Sequence, residues 1–131
     1  MAKVQAHIGN ETYTTTIKTS AHEIIADEPK DKGGLDLGFS PAELLAASLS
    51  ACTSVTLRMY ANRKGWDLQG VTTDVTFERD IVNNRSFFAV NIRLEGNLGP
   101  EERSRLLHIA KNCPIHKALT APIQIETELG N

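Results

Sequence analysis

Between Ser40 and Gly65 apolar and small residues dominate so heavily that no broad polar face survives. The stretch SPAELLAASLSACTSVTLRMYANRKG predicts one long helix with a cysteine at its middle. Ser40 suits the N-cap, Pro41 the first helical position, and Glu43 completes a Ser-x-x-Glu capping box. Lys64 matches the negative C-terminal end of a helix, and Gly65 the left-handed stop. Such a rod is about 36 Å long at about 1.5 Å per residue. Leu45, Ser48, Leu49, Val55, Thr56 and Met59 stand three, four or seven positions from Cys52, on one small, apolar face. Leu44, Ala46, Ala47, Ala51 and Leu57 make the other sides nearly as apolar. The N-terminal half is therefore expected to be buried all round.

Shorter periods flank this helix. Residues 3–8 and 11–19 mix β-branched and polar residues around Gly9-Asn10, a hairpin pattern. Residues 22–26, HEIIA, read as a third short strand. Residues 27–39 read as a loop, since Pro29, the charges of KDK and Gly33-Gly34 resist regular structure. After the helix, Val71, Thr73, Val75 and Phe77 alternate with polar residues, and Arg79 falls on the same inward side. A turn over IVNNRS leads to a second alternating run, Phe88, Val90, Ile92 and Leu94. Pro100 opens a helix, PEERSRLLHIAKN, with an acidic first turn. Cys113-Pro114 breaks it and starts a shorter one, PIHKAL. Residues 122–129, PIQIETEL, place Ile123, Ile125, Thr127 and Leu129 on one side of a last strand. The order β-β-β-α-β-β-α-α-β implies an α+β fold with antiparallel sheets.

Composition narrows the classes. The chain of 131 residues suffices for one domain, residues 1–131, with a real core. A hydrophobic fraction of 40% and a charged fraction of 23% are ordinary for a globular protein, so disorder is not expected. A net charge of −2 and the lack of any basic run argue against nucleic acid as a partner. No apolar run of about 18 residues is present to span a membrane. No signal-peptide core opens the chain, so a cytoplasmic location is the expectation. There a structural disulfide is disfavoured, and two cysteines read as free thiols, ligands or redox groups.

The chemistry then rests on Cys52 and Cys113. Cys113 precedes a proline at a helix start, where free N–H groups and the dipole favour a thiolate. His116, one turn on, is placed to add positive charge or take a proton. Cys52 lies about three turns into its helix, where burial alone makes a thiol inert. It becomes reactive only if another segment brings it a base or a donor. The bland alternative for both is a small buried hydrophobe. Cys113-x-x-His116 has metal-ligand spacing, but Cys52, His22 or His108 would have to complete the set. No metal and no bound cofactor are expected. The chain has no Gly-x-Ser-x-Gly elbow and no phosphate loop.

The segment SPAELLAASLSACTSVTLRMYANRKGW resembles the signature helix of the OsmC/Ohr family. AHEIIADEP, GGLDLG and NCPIHKAL fit the same pattern, in the same order and spacing. The resemblance covers most of residues 20–120. It implies an intertwined homodimer, with long central helices against curved antiparallel sheets and N-terminal strands exchanged between subunits. It further implies reduction of organic hydroperoxides, with Cys52 as the peroxidatic thiol and Cys113 as the resolving one. The expected partners are an organic hydroperoxide and an external dithiol of the lipoyl type, carried by lipoylated proteins in parts of the family.

Two positions differ from the peroxidase pattern. The family's peroxidases stabilise the thiolate with an arginine of the N-terminal segment, and here no arginine precedes Arg58. Arg79, His22 and Lys18 are the available substitutes. Those enzymes also carry a glutamate directly after the helix-opening proline, where this chain has Ala42 and then Glu43. At about 100° per residue Glu43 falls opposite Cys52, which suits a cap better than catalysis. Three readings follow: a dimeric thiol peroxidase, a small-molecule-binding protein of the same fold with little or no turnover, and a dimer whose cysteines are only structural.

Overall fold

The structure, a computed structural model, describes residues 1–130. Contacts divide the chain into two compact units, Met1–Ala46 and Ala47–Asn131. In the first, β1 (Gln5–Ile8), β2 (Thr15–Lys18) and β3 (Glu23–Ala26) form an antiparallel sheet in that order. The expected hairpin is present, but its second strand starts at Thr15 rather than at residue 11. Thr12 takes a positive φ of 43°, and the Thr15 hydroxyl turns back to the Tyr13 carbonyl at 3.1 Å. A β-branched residue in that conformation cannot extend a ladder.

The segment after β3 holds one short 3-10 turn, Lys30–Lys32, and then folds back on itself. Asp27, only 2% exposed, anchors it. Its carboxylate accepts from the Thr14 hydroxyl (3.1 Å) and from the backbone N–H groups of Glu28 (2.8 Å) and Leu37 (3.3 Å). Its own N–H donates to the Phe39 carbonyl at 3.0 Å. Burial pushes the Asp27 pKa up, but these donors outweigh it and hold the pKa below the usual value. The glycines of GGLDLG answer to this packing. A Cβ on Gly34 would lie 1.9 Å from the Glu28 carbonyl oxygen, and one on Gly38 would lie 1.9 Å from that of Ile25.

Helix α1 (Pro41–Lys64) starts as its sequence implies. The Glu43 N–H donates to the Ser40 hydroxyl at 3.2 Å, and the Ser40 N–H donates to the Glu43 carboxylate at 2.9 Å. Each partner satisfies a backbone or side-chain group that the helix end would otherwise leave free. The helix stops where Gly65 takes a φ of 69°.

In the second unit β4 (Leu68–Asp80) and β5 (Arg85–Gly96) form one antiparallel hairpin. Val71 pairs with Leu94, Thr73 with Ile92, Val75 with Val90 and Phe77 with Phe88. The two alternating runs thus face one side together, and the Phe77 and Phe88 rings lie 4.7 Å apart. Both strands outrun the expected limits, because the turn needs only residues 81–84. Arg79, expected inward, is exposed and bonds to the Asn84 side chain at the turn. Helices α2 (Pro100–Ala110) and α3 (Pro114–Thr120) follow, the first opened by Glu102 bonding back to the Gly99 N–H at 2.9 Å. Leu57, Tyr60 and Ala61 of α1 meet Leu68, Leu98, Leu106 and Ala110 in the core. Fully burying a leucine such as Leu57 or Leu106 stabilises by about 1.5–3 kcal/mol.

Two further expectations fail. Residues 122–129 form no strand, and Ile123, Ile125 and Leu129 stand exposed. A strand needs an edge to accept its backbone bonds, and no described strand of this chain pairs with that segment. Nor is the N-terminal half of α1 buried all round. Only Leu49, Thr53, Leu57, Tyr60 and Ala61 are covered, a stripe at spacings of three and four. Leu45, Val55 and Met59 are 39%, 56% and 66% exposed. Among the described residues no helix is long and apolar enough to cross a membrane.

Candidate redox site

Cys52 lies near the middle of α1 and Cys113 caps α3, and the two side chains lie near enough for Cys113 to push the Cys52 pKa up. Cys113 is fully buried, whereas Cys52 is partly exposed. A dissolved molecule therefore reaches Cys52 first.

The start of α3 serves both sulfurs. Pro114 occupies its first position and has no N–H to offer. The next two amides are free of intrahelical partners. That of His116 donates to the Cys113 sulfur at 3.3 Å, and that of Ile115 acts to lower the Cys52 pKa. The Thr56 hydroxyl, one turn along α1, acts in the same direction on Cys52. The Ile115 amide is the influence that Cys52 draws from outside its own helix, and no motif around Cys52 announces it, whereas Thr56 stands on the Cys52 face that the helical spacing marks. The Cys-Pro pair was the available signal, since it leaves the second and third amides of α3 unspent.

Electrostatics favour the neutral thiol of Cys52. Burial pushes its pKa above the ordinary value of 9.0, and the Cys113 side chain pushes the same way. The Ile115 amide and the Thr56 hydroxyl oppose this only in part. Among the described residues no cation acts on it. Arg58 sends its guanidinium to the Leu68 carbonyl at 2.6 Å and to the Asn62 side chain at 3.5 Å. Arg79 serves the hairpin turn. Lys18 pairs with Glu23 at 4.0 Å in the N-terminal sheet, and the His22 N–H donates to Thr19 Oγ1 in the adjoining turn. Glu43 is engaged in the capping box, where the Ser40 backbone and then its hydroxyl lower its pKa.

His116 reaches Cys113 through its backbone amide. Among the described residues no three His, Cys, Asp or Glu side chains converge as a metal site, so Cys113-x-x-His116 stays a pair. The apolar lining expected around Cys52 is split, with Leu49 buried and Leu45, Val55 and Met59 open. A shallow cavity of about 320 Å³ nearby is lined by Ser54, Val55, Arg58 and Val71.

The family model described as OsmC-like protein matches residues 32–128. No curated protein matches the chain. Among solved structures, a protein of Psychrobacter arcticus 273-4, designated an osmotic stress induced and detoxification response protein, is 26% identical. The match covers 90% of this chain and 88% of that one, with a TM-score of 0.78. An OsmC-like protein of Mycoplasma pneumoniae is 20% identical over 89% and 85% of the two chains, with a TM-score of 0.75. The organic hydroperoxide resistance protein OhrB of Bacillus subtilis is 22% identical over 92% and 90%, with a TM-score of 0.63. The latter two are likenesses of fold. The matched segment holds α1, the long hairpin and both cysteines, and the chain belongs to the OsmC-like protein family.

Proposed function

We propose that this protein is a thiol peroxidase that reduces organic hydroperoxides through Cys52 and Cys113, acting in oxidative-stress defence as a cytoplasmic homodimer. The observation that supports this reading is a partly exposed thiol whose pKa a buried second thiol raises. The Cys52 thiolate attacks the distal peroxide oxygen, the O–O bond breaks, and the departing alkoxide takes a proton to become an alcohol. Cys52 is left as a sulfenic acid. The Cys113 sulfur attacks it, water leaves, and a Cys52–Cys113 disulfide forms. An external dithiol of the lipoyl type returns both thiols by exchange and is itself oxidised to a disulfide. The open apolar residues Leu45, Val55 and Met59 favour alkyl-bearing peroxides over hydrogen peroxide, since burying apolar surface gains about 25 cal/mol per Å². They also offer a face for a second copy of the chain to cover.

A second reading rests on a specific observation. The Cys52 pKa is raised and, among the described residues, no cation acts on it, which suits a small-molecule-binding protein of the same fold with little turnover. The two part on one experiment. Cys113→Ser protein receives one equivalent of cumene hydroperoxide and is followed by mass spectrometry. Peroxidase chemistry puts a sulfenic acid on Cys52 far faster than on free cysteine, and Cys52→Ser abolishes turnover. If oxidation collects instead on Cys113 in the Cys52→Ser protein and turnover continues, the roles are reversed. If neither thiol outpaces free cysteine, the binding reading stands.

A further inference from the structure

The C-terminal end of α1 carries a cluster that the peroxidase chemistry does not use. Tyr60 is 8% exposed, and its hydroxyl accepts from Arg105 Nε of α2 at 3.0 Å. Three cations surround its ring, Arg63 at 5.5 Å, Lys64 at 5.7 Å and Arg105 at 5.9 Å from the centroid. The ion pairs of the described residues, Lys18–Glu23 and Arg93–Asp74, leave all three without a carboxylate within 4.0 Å. In a chain of net charge −2, three exposed and uncompensated cations thus converge on one buried phenol. Ring and cations hold one another in place. The Arg105 hydrogen bond and the nearby charges also lower the Tyr60 pKa.

Both halves of the cluster sit on the segments that carry the thiols. Tyr60 comes eight positions after Cys52 on α1, about 12 Å along the axis at about 1.5 Å per residue. Arg105 comes eight positions before Cys113. Since Cys113 is fully buried, a reductant attacks at Cys52. A small dithiol on an arm reaches that sulfur while its carrier rests elsewhere on the surface.

We propose that Tyr60, Arg63, Lys64 and Arg105 form the docking surface for an acidic protein that presents the dithiol reductant. The assignment rests on the peroxidase reading for the reductant's role, and on charge complementarity for the partner's acidity. Three cations are too few for tight nucleic-acid binding, which rests on many phosphate contacts. They suit a pair or trio of carboxylates. Docking leaves the chemistry unchanged: the dithiol loses two hydrogens to become a disulfide, and Cys52 and Cys113 regain them.

The test uses a synthetic peptide with a dihydrolipoyl-lysine flanked by glutamates, and the same peptide with glutamines. Trp66 is the chain's one tryptophan and meets the Tyr60 ring edge-on at 5.5 Å, so its fluorescence reports binding without any turnover. The glutamate peptide is expected to bind the wild-type protein about ten-fold tighter than the glutamine peptide at low salt. That preference should vanish near 1 M salt, where the screening length falls to about 3 Å. It should also vanish in the Arg63→Gln/Lys64→Gln/Arg105→Gln protein. Arg63→Gln/Lys64→Gln keeps the Arg105–Tyr60 bond and should lose part of it. In reduction of the oxidised protein, the glutamate peptide should lead by a similar factor, while free dihydrolipoamide serves wild type and variants equally. A triple variant that keeps the preference overturns the proposal, as does equal binding of a short oligonucleotide. If the thiols never turn over peroxide, the fluorescence titration still decides the docking, so the two readings fail separately.

Discussion

The backbone N–H of His116 donates to the sulfur of Cys113 across 3.3 Å, one residue beyond the amide that serves Cys52. Two consecutive amides of one short helix thus act on two thiols that lie 61 positions apart in sequence (113 − 52). A pair held this way should close on itself. A disulfide needs α-carbons about 4.4–6.8 Å apart, so closure tests whether the two segments come that near. Mild oxidation is expected to remove both free thiols and leave each chain uncrosslinked, read as a mass loss of about 2 Da under denaturing conditions. Disulfide-linked pairs of chains as the main product would contradict the arrangement.

Cys52 should respond to pH as a thiol with a raised pKa. At neutral pH the protonated form dominates. Each pH unit from 7 to 9 should then raise iodoacetamide reactivity about ten-fold in the Cys113→Ser protein, with no plateau below 9. Thr56→Val removes one of the two groups that favour the thiolate and should slow the reaction about three- to ten-fold at pH 7. A plateau near neutral pH would show that a cation reaches Cys52 in solution.

Acid should loosen the N-terminal unit in a defined window. Asp27 and Glu43 have pKa values below their usual 3.8 and 4.5. Their folded forms bind fewer protons than the unfolded chain in that range. The stability they contribute is present above the unfolded values and is lost as pH falls through the folded ones. Thermal unfolding monitored from pH 6 to pH 2 should hold steady to about pH 5 and then decline. Asp27→Asn should lower the unfolding temperature at pH 6 and flatten the decline.

Leu57 is fully buried at the centre of the core of the second unit. Leu57→Ala is expected to cost about 2–5 kcal/mol, from lost burial plus the cavity left behind. Denaturant unfolding measures it. Val55→Ala, two positions away on an exposed side, should cost far less in the same assay if the chain unfolds alone.

The exposed α1 residues Leu45, Val55 and Met59, with the unpaired Ile123, Ile125 and Leu129, leave apolar surface that water penalises. Sedimentation at micromolar concentration is expected to give twice the chain mass. Val55→Asp/Met59→Asp should shift it toward the single chain. A stable wild-type monomer would defeat the homodimer reading.

Local rules were enough for much of this architecture. Ser40, Pro41, Glu43 and Gly65 bound α1 because caps and stops depend on adjacent residues. The runs from Val71 and from Phe88 predicted both their pairing and their common face, since a period of two leaves one solution. What escaped depends on distant segments. Alternation in residues 122–129 marks strand-forming side chains without supplying an edge. The apolar sides of α1 say that something must cover them, not that this chain does so. Ile115 carries no signature as a partner of Cys52, because it acts through its backbone, whereas the helical spacing already puts Thr56 on the Cys52 face. The grouping of Arg105 with Arg63 and Lys64 is tertiary, so the sequence displays no basic run.

The anchoring of Asp27 has a consequence for how the chain can be cut and rejoined. Its N–H meets Phe39 and its carboxylate meets Leu37, so the two ends of the intervening loop already touch. The loop's outer part, Lys30–Lys32, stands in solvent. A loop closed at its base adds little entropy when lengthened, since each doubling costs only about 0.6 kcal/mol. A protease that nicks between Lys30 and Lys32 should therefore leave both fragments associated. The same position suits new termini in a circular permutant or the insertion of a reporter domain, whereas Gly34 and Gly38, a few residues on, accept not even a methyl group.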